Sequence, residues 1–168
     1  MLRFLVLAGS FGAALACAAP PPAFTDAHAA AVRDSATVFL AEFRRLSTAA
    51  QWDSLGALYS DRPDFRFLES GELRYTSADA VREALRLIPA GQRIETEYED
   101  VLIQPVAPGV AIISARFTTR FVDRTTTLFS FGGAVSIVLH HEAAGWRIIG
   151  GHSSAPVARG RFSGATPN

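Results

Sequence analysis

Gly145-Trp146-Arg147-Ile148-Ile149-Gly150-Gly151-His152-Ser153-Ser154 is the stretch on which the reading of the whole chain turns. A glycine turn feeds it, a tryptophan opens it, two isoleucines sit at its centre and a polar His-Ser-Ser run leaves it. This is the composition of a last strand that closes a sheet. Three longer segments lead up to it: 92–106, 110–123 and 125–141. Pro105, Pro108 and Gly109 separate the first two, and Gly132-Gly133 within the third reads as a bulge that bends a long strand.

The middle segment alternates. Ala111, Ile113, Ala115, Phe117 and Phe121 fall on one face, with Ser114, Arg116, Thr118 and Arg120 on the other. A hairpin turn near Ala107-Pro108 sets a register in which facing residues have numbers that sum to about 215. Glu99 then meets Arg116, and Glu95 meets Arg120. Tyr98 and Ile94 fall beside Phe117 and Phe121. Opposite charges across an antiparallel pair favour this register. It predicts one aromatic face covered by helices and one face carrying a charge ladder.

The helices come earlier. Thr25 or Asp26 can cap the first, in which Val32, Ala36, Phe39, Phe43 and Leu46 form an apolar stripe. A second carries Trp52, Leu55, Leu58 and Tyr59 and ends at Ser60-Asp61-Arg62-Pro63-Asp64. Short strands at 65–69 and 73–75 follow, joined at Ser70-Gly71-Glu72. Thr76 or Ser77 caps a third helix, with Val81, Leu85 and Ile88 on its inner side.

Helices, a short hairpin, a helix and then a long meander ending in Gly-Trp-Arg-Ile-Ile-x-x-His-x-Ser resemble the nuclear-transport-factor-2-like superfamily, in its SnoaL-like or ketosteroid-isomerase-like branch. Trp52-x-x-Leu55-x-x-Leu58-Tyr59 is similar to the family's second-helix signature, and Asp79-Ala80-Val81 to the start of its third helix. The resemblance implies an α+β fold: a cone-shaped, curved, mostly antiparallel sheet wrapped by three helices from the N-terminal half. It also implies a homodimer formed through the outer sheet face. The branch's isomerases use a tyrosine and an aspartate. Matched through Leu58-Tyr59, the tyrosine position falls on Phe43 and the aspartate position near Phe67 or Leu68. Both catalytic groups are therefore missing under this match, and Asp64 and Glu69 lie about three places away.

Three functions stay open. The first is binding of a small apolar or amphipathic molecule inside the cone. The second is an isomerase-, cyclase- or dehydratase-type enzyme with His152 as acid or base. The third is a ligand-free dimerisation module. The candidate ligand-binding residues are Tyr59, Tyr98, Phe117, Trp146 and His152, and the catalytic candidate is His152. Arg116 and Arg120 would bind an anion only if they pointed into the cone, and the charge-ladder register sends them outward.

Composition removes other classes. Lys+Arg and Asp+Glu both number 16 in 168 residues, so no net charge draws the chain to nucleic acid or acidic lipid. All the cations are arginine, which leaves no lysine for Schiff-base chemistry or a P-loop. A single Cys excludes an internal disulfide and a cysteine zinc cluster. His140 and His141, adjacent on a strand, point to opposite faces. No cofactor and no metal site is expected.

The N-terminus reads as an export signal. Arg3 precedes an uncharged apolar run from Phe4 to Ala16, too short for a comfortable membrane span. Ala13-Ala14-Leu15-Ala16-Cys17 resembles a bacterial lipoprotein signal, although Ala14 stands where leucine is commonest. Ala14-x-Ala16 and Ala16-x-Ala18 suit ordinary signal cleavage as well. The expected organisation is a signal at 1–17, a Pro-rich spacer at 18–25, the cone domain at 26–154 and a tail at 155–168. The protein would then be periplasmic, touching the membrane only through a lipid on Cys17. Intact mass of the mature protein from its host tests this, with a lipidated chain starting at Cys17 expected. An unlipidated chain starting at Ala19 removes the lipid anchor, and an uncleaved chain removes export.

Overall fold

The computed structural model describes residues 24–155. The signal-like run, Cys17, most of the Pro-rich spacer and residues 156–168 lie outside the described residues. Within them run α1 (Asp26–Thr48), α2 (Trp52–Gly56), β1 (Arg66–Glu69), β2 (Glu72–Tyr75) and α3 (Ala78–Arg86). Then come β3 (Gln92–Ala107), β4 (Val110–Asp123), β5 (Thr126–Glu142) and β6 (Gly145–Ser154). The strands form one six-stranded mixed sheet in the order β2-β1-β6-β5-β4-β3.

Two of the three helices begin at side-chain caps. Thr25 Oγ1 accepts from the His28 amide at 3.3 Å, and His28 Nδ1 accepts from the Thr25 amide in return. Ser77 Oγ accepts from the Ala80 amide and starts α3. The second helix is shorter than its apolar spacing predicts. It stops at Gly56, and Leu58 to Ser60 run out beside β6 instead. There the Ile148 amide donates to Leu58 O and the Ser60 amide donates to Ile148 O. Tyr59 thus takes its place from an extended bridge to Ile148 rather than from a helix.

The turn is Pro108-Gly109, with Ala107 facing Val110, one place beyond the expected one, and two irregularities in β3 then bring the Gln92–Glu99 half into the register read from the sequence. Glu99 faces Arg116, Tyr98 faces Phe117, Glu95 faces Arg120 and Ile94 faces Phe121. Arg116 bonds Glu99 at 2.8 Å and Asp100 at 2.7 Å, while Arg120 reaches Glu97 at 2.8 Å and Glu95 at 3.4 Å. Exposed pairs of this kind contribute under about 1 kcal/mol each. Asp100 sits at φ 52°, in a bulge where β3 carries two residues against one of β4. The inner face holds the core: Phe65, Ile113, Leu139 and Ile148 are all but fully buried. Each contributes about 1.5–3 kcal/mol by leaving water. α1 covers this part of the sheet with Val32, Ala36 and Phe39.

Three expectations change. The last strand does not close the sheet, which stays open. Instead β6 lies inside it, antiparallel to β5 and parallel to β1. Gly132-Gly133 is no bulge, because both residues stay in register with Thr118 and Phe117. The need for glycine there is steric: a Cβ on Gly133 would stand 2.0 Å from Ser154 O. The aromatic face is not covered along its whole length either. Phe129 and Phe131 stack with Phe121 at its far end and stay exposed.

The β1–β6 junction depends on close backbone approach. A Cβ on Gly151 would lie 2.7 Å from Ser136 O and 2.8 Å from Phe67 Cε2. Gly151→Ala is therefore expected to cost about 1–3 kcal/mol through overpacking, read as a lowered midpoint in urea unfolding.

Candidate functional site

Where the aromatic face leaves the cover of α1, a cavity of about 260 Å³ opens between the sheet and α3. Five strands contribute one aromatic residue each: Phe67 from β1, Tyr75 from β2, Tyr98 from β3, Phe117 from β4 and Phe131 from β5. Tyr59 adds a sixth ring. The chain has three tyrosines, and all three line this space. Below it lies a narrower apolar recess of about 70 Å³, sharing Tyr59, Phe67, Tyr98 and Val135 with the cavity. Leu40, Phe43 and Ile113 form part of its wall. The space is thus polar toward the mouth and apolar at the floor.

Glu69 is the one charged residue among the described residues that line the cavity. It stands at the end of β1, opposite Ser153 of β6, which also lines the space. The nearest cation is Arg74, whose Nε lies 3.7 Å from Glu69 Oε2 and whose side chain is mostly exposed. No hydrogen bond from a described residue reaches the carboxylate. Burial raises the Glu69 pKa above the usual glutamate range, and Arg74 only partly opposes this. Burial also pushes the Tyr98 phenol up to about 12. It raises Tyr59 too, helped by the nearby Tyr98, Tyr75 and Glu69. Both phenols therefore keep their protons at neutral pH and are available as donors. Thr96 and Thr119, by contrast, bond each other at 3.0 Å across the β3–β4 pair.

Tyr59, Tyr98 and Phe117 fall in the cavity as the sequence anticipates. His152 and Trp146 do not. His152 is exposed, on the outer face of β6, while its neighbour Ser153 lines the cavity. The cause is one residue. Ile148 is buried, so plain alternation sends Gly150 and His152 inward. But Leu139 faces Ile148 and Val138 faces Gly150, so Ile149 is an extra residue that reverses the faces beyond it. Trp146 sits at the opposite end of β6, edge-on to His141 at 5.3 Å and packed on the core. Arg116 and Arg120 point outward in the charge ladder, so no guanidinium of theirs serves the cavity.

Glu69, which in the sequence stands only as a carboxylate near the matched aspartate position, is the charged residue that reaches the cavity. Phe43 and Phe67, the positions matched to the isomerase pair, do line the recess. Glu69 is two places beyond Phe67 and hence on the same face of β1, which strand parity alone could have revealed.

The SnoaL-like domain family matches residues 37–158, and the chain belongs to that family. No curated protein matches the chain. Solved structures share the fold. A nuclear-transport-factor-2-like superfamily protein from Salmonella enterica serovar Typhimurium is 19% identical, with a TM-score of 0.63 over 80% of this chain and 98% of that one. A protein from Streptomyces avermitilis assigned as a dehydratase of the same family is 14% identical, with a TM-score of 0.64 over 77% and 99%. A protein from Xanthomonas campestris assigned as a calcium/calmodulin-dependent protein kinase II association domain is 14% identical, with a TM-score of 0.61 over 73% and 86%. At these identities the likeness establishes the fold, and a fold of this kind hosts small-molecule binding as well as isomerase- or dehydratase-type chemistry.

The Glu69 environment has a measurable sign. A carboxyl whose folded pKa is raised binds its proton more tightly in the folded state. Its ionisation therefore opposes folding once the pH exceeds the ordinary glutamate value, and the penalty is complete above the raised value. Glu69→Gln removes that penalty. The expected result is a Tm gain at pH 7 that disappears at pH 3.5, measured by thermal unfolding at both values.

Proposed function

We propose that this domain binds a small amphipathic molecule in the cavity between Glu69 and the three tyrosines. The observation that carries this is the polarity of the space. A carboxylate held only by the exposed Arg74 stands at the mouth, the buried phenols of Tyr59 and Tyr98 line the space, and an aliphatic and aromatic recess lies beneath. A ligand with one polar end would place it among Glu69, Tyr75 and Ser153 and bury its body beside Phe67, Phe117 and Val135. About 260 Å³ is just under the usual range of about 300–1,000 Å³ for ligand sites. A one- or two-ring molecule suits that size.

Proton transfer is a second reading, favoured by the raised pKa of Glu69 facing protonated tyrosines. Glu69 would take the proton and a tyrosine would donate to the developing oxyanion. His152 has no part in this, since its side chain lies on the other face. We also infer that the protein is exported, tethered through Cys17 and paired through its outer sheet face. The small uncharged residues Ser114, Ala134, Ser136 and Gly150 support such pairing, together with half-exposed Leu68 and Leu102. A monomer mass by light scattering would remove the pairing.

A thermal-shift panel of small apolar and amphipathic molecules tests the binding reading. A ligand present at a hundred times its Kd adds about 2.7 kcal/mol of stability, and the gain should vanish in Val135→Trp, which fills the space. Circular dichroism of the variant controls for folding. A panel without any shift contradicts binding. Turnover of a one- or two-ring β,γ-unsaturated ketone that Glu69→Gln abolishes would establish the enzyme reading in its place.

A further inference from the structure

The charges of this molecule are distributed unequally between its surface and its cavity. On the outer face every arginine of β4 holds carboxylates: Arg116 bonds Glu99 and Asp100, and Arg120 bonds Glu97. Around α3, Arg82 holds both Asp61 and Asp79. The carboxylate in the cavity is held more loosely. Glu69 accepts no hydrogen bond from a described residue, and its one ion-pair partner among the described residues is the mostly exposed Arg74 at 3.7 Å, whose guanidinium also lies over the Tyr75 ring, 5.6 Å from its centroid. The rest of the lining contains no Arg, Lys or His among the described residues, and it is dominated by aromatic rings.

Such a lining selects among ligand charges. An anion would meet Glu69 with only the exposed Arg74 to offset the repulsion in a partly desolvated space. A neutral molecule would leave an ionised carboxylate half-buried with only the exposed Arg74 beside it, at the cost already visible in its raised pKa. A cation would satisfy the carboxylate. It would also be attracted to the electron-rich rings of Tyr59, Tyr98, Phe67 and Phe117 bordering the same space, as cations are in aromatic cages, while the Tyr75 ring already carries the Arg74 guanidinium. From the juxtaposition of Glu69, held only by the exposed and loosely placed Arg74, with a ring-lined cavity whose lining has no arginine among the described residues, we infer that the ligand is a small organic cation: a protonated amine on an apolar body.

The inference rests on the binding reading and narrows it to a ligand class. The ammonium sits against Glu69 with Ser153 beside it, and the apolar body enters the recess toward Phe43 and Ile113. Arg74 has to release Glu69, which costs little for a pair this exposed.

Three probes of similar shape and different charge test the inference: benzylamine, benzyl alcohol and benzoate. Their affinities are measured by calorimetry at pH 7 on the wild-type protein and on Glu69→Gln. Benzylamine is expected to bind at least about tenfold more tightly than benzyl alcohol, with benzoate weakest. Glu69→Gln should abolish that preference while retaining affinity for benzyl alcohol, which also shows that the variant's cavity is intact. Two results overturn the inference and leave the binding reading standing: benzyl alcohol binding as tightly as benzylamine, or a cation preference that survives Glu69→Gln. If none of the three binds and the wider panel of amphipathic molecules gives no thermal shift, both fall together.

Discussion

The parallel pairing of Arg66–Glu69 with Gly150–Ser153 is the constraint on which the rest of this structure depends. It joins the short hairpin to the long meander, two parts of the sheet separated by α3 and three strands of sequence. Gly150 and Gly151 allow it: a Cβ on Gly150 would stand 2.9 Å from Arg66 O, and one on Gly151 would strike Ser136 O and the Phe67 ring. Because β1 is held there, Phe67 and Glu69 face inward beside Ser153, and β2 follows with Tyr75. The cavity mouth is a product of that one junction.

The same arrangement separates two electrostatic environments. The outer face of β3 and β4 is a solvated ladder in which each arginine is paired and each pair stabilises the fold only slightly. Inside, one half-buried carboxylate and two buried, protonated phenols lie close together without hydrogen bonds to one another. Groups of that kind cost stability unless something occupies the space. The fold gives up some stability at its mouth while the core beneath α1 stays well packed, and that division is what a binding domain requires.

Much of this was legible in the sequence, for identifiable reasons. The register of the outer half of β3–β4 follows from charges that must meet, so Glu99–Arg116 and Glu95–Arg120 could be paired from sequence although the turn is one place further on and two bulges intervene. The caps at Thr25 and Ser77 are local chemistry and equally readable. Long-range irregularities were not legible. The extra Ile149 in β6 leaves no mark in composition, yet it turns His152 outward and Ser153 inward. Gly132-Gly133 resembled a bulge because local sequence cannot reveal that the end of β6 passes within contact distance. Leu58 and Tyr59 continued a helical spacing but are claimed by the backbone of Ile148, sequence-distant by some ninety residues. Glu69 was hidden by reliance on matched positions where strand parity was the better guide.

Because the three tyrosines of the chain all line the cavity, they report on it without interference from elsewhere. The most direct measurement is therefore NMR of protein labelled with 13C in its tyrosine rings, titrated with benzylamine. The account predicts that the ring resonances of Tyr59, Tyr75 and Tyr98 move together and saturate with a single affinity. Saturating ligand that leaves all three unmoved, while calorimetry still registers binding, would place the site elsewhere on the molecule and contradict it.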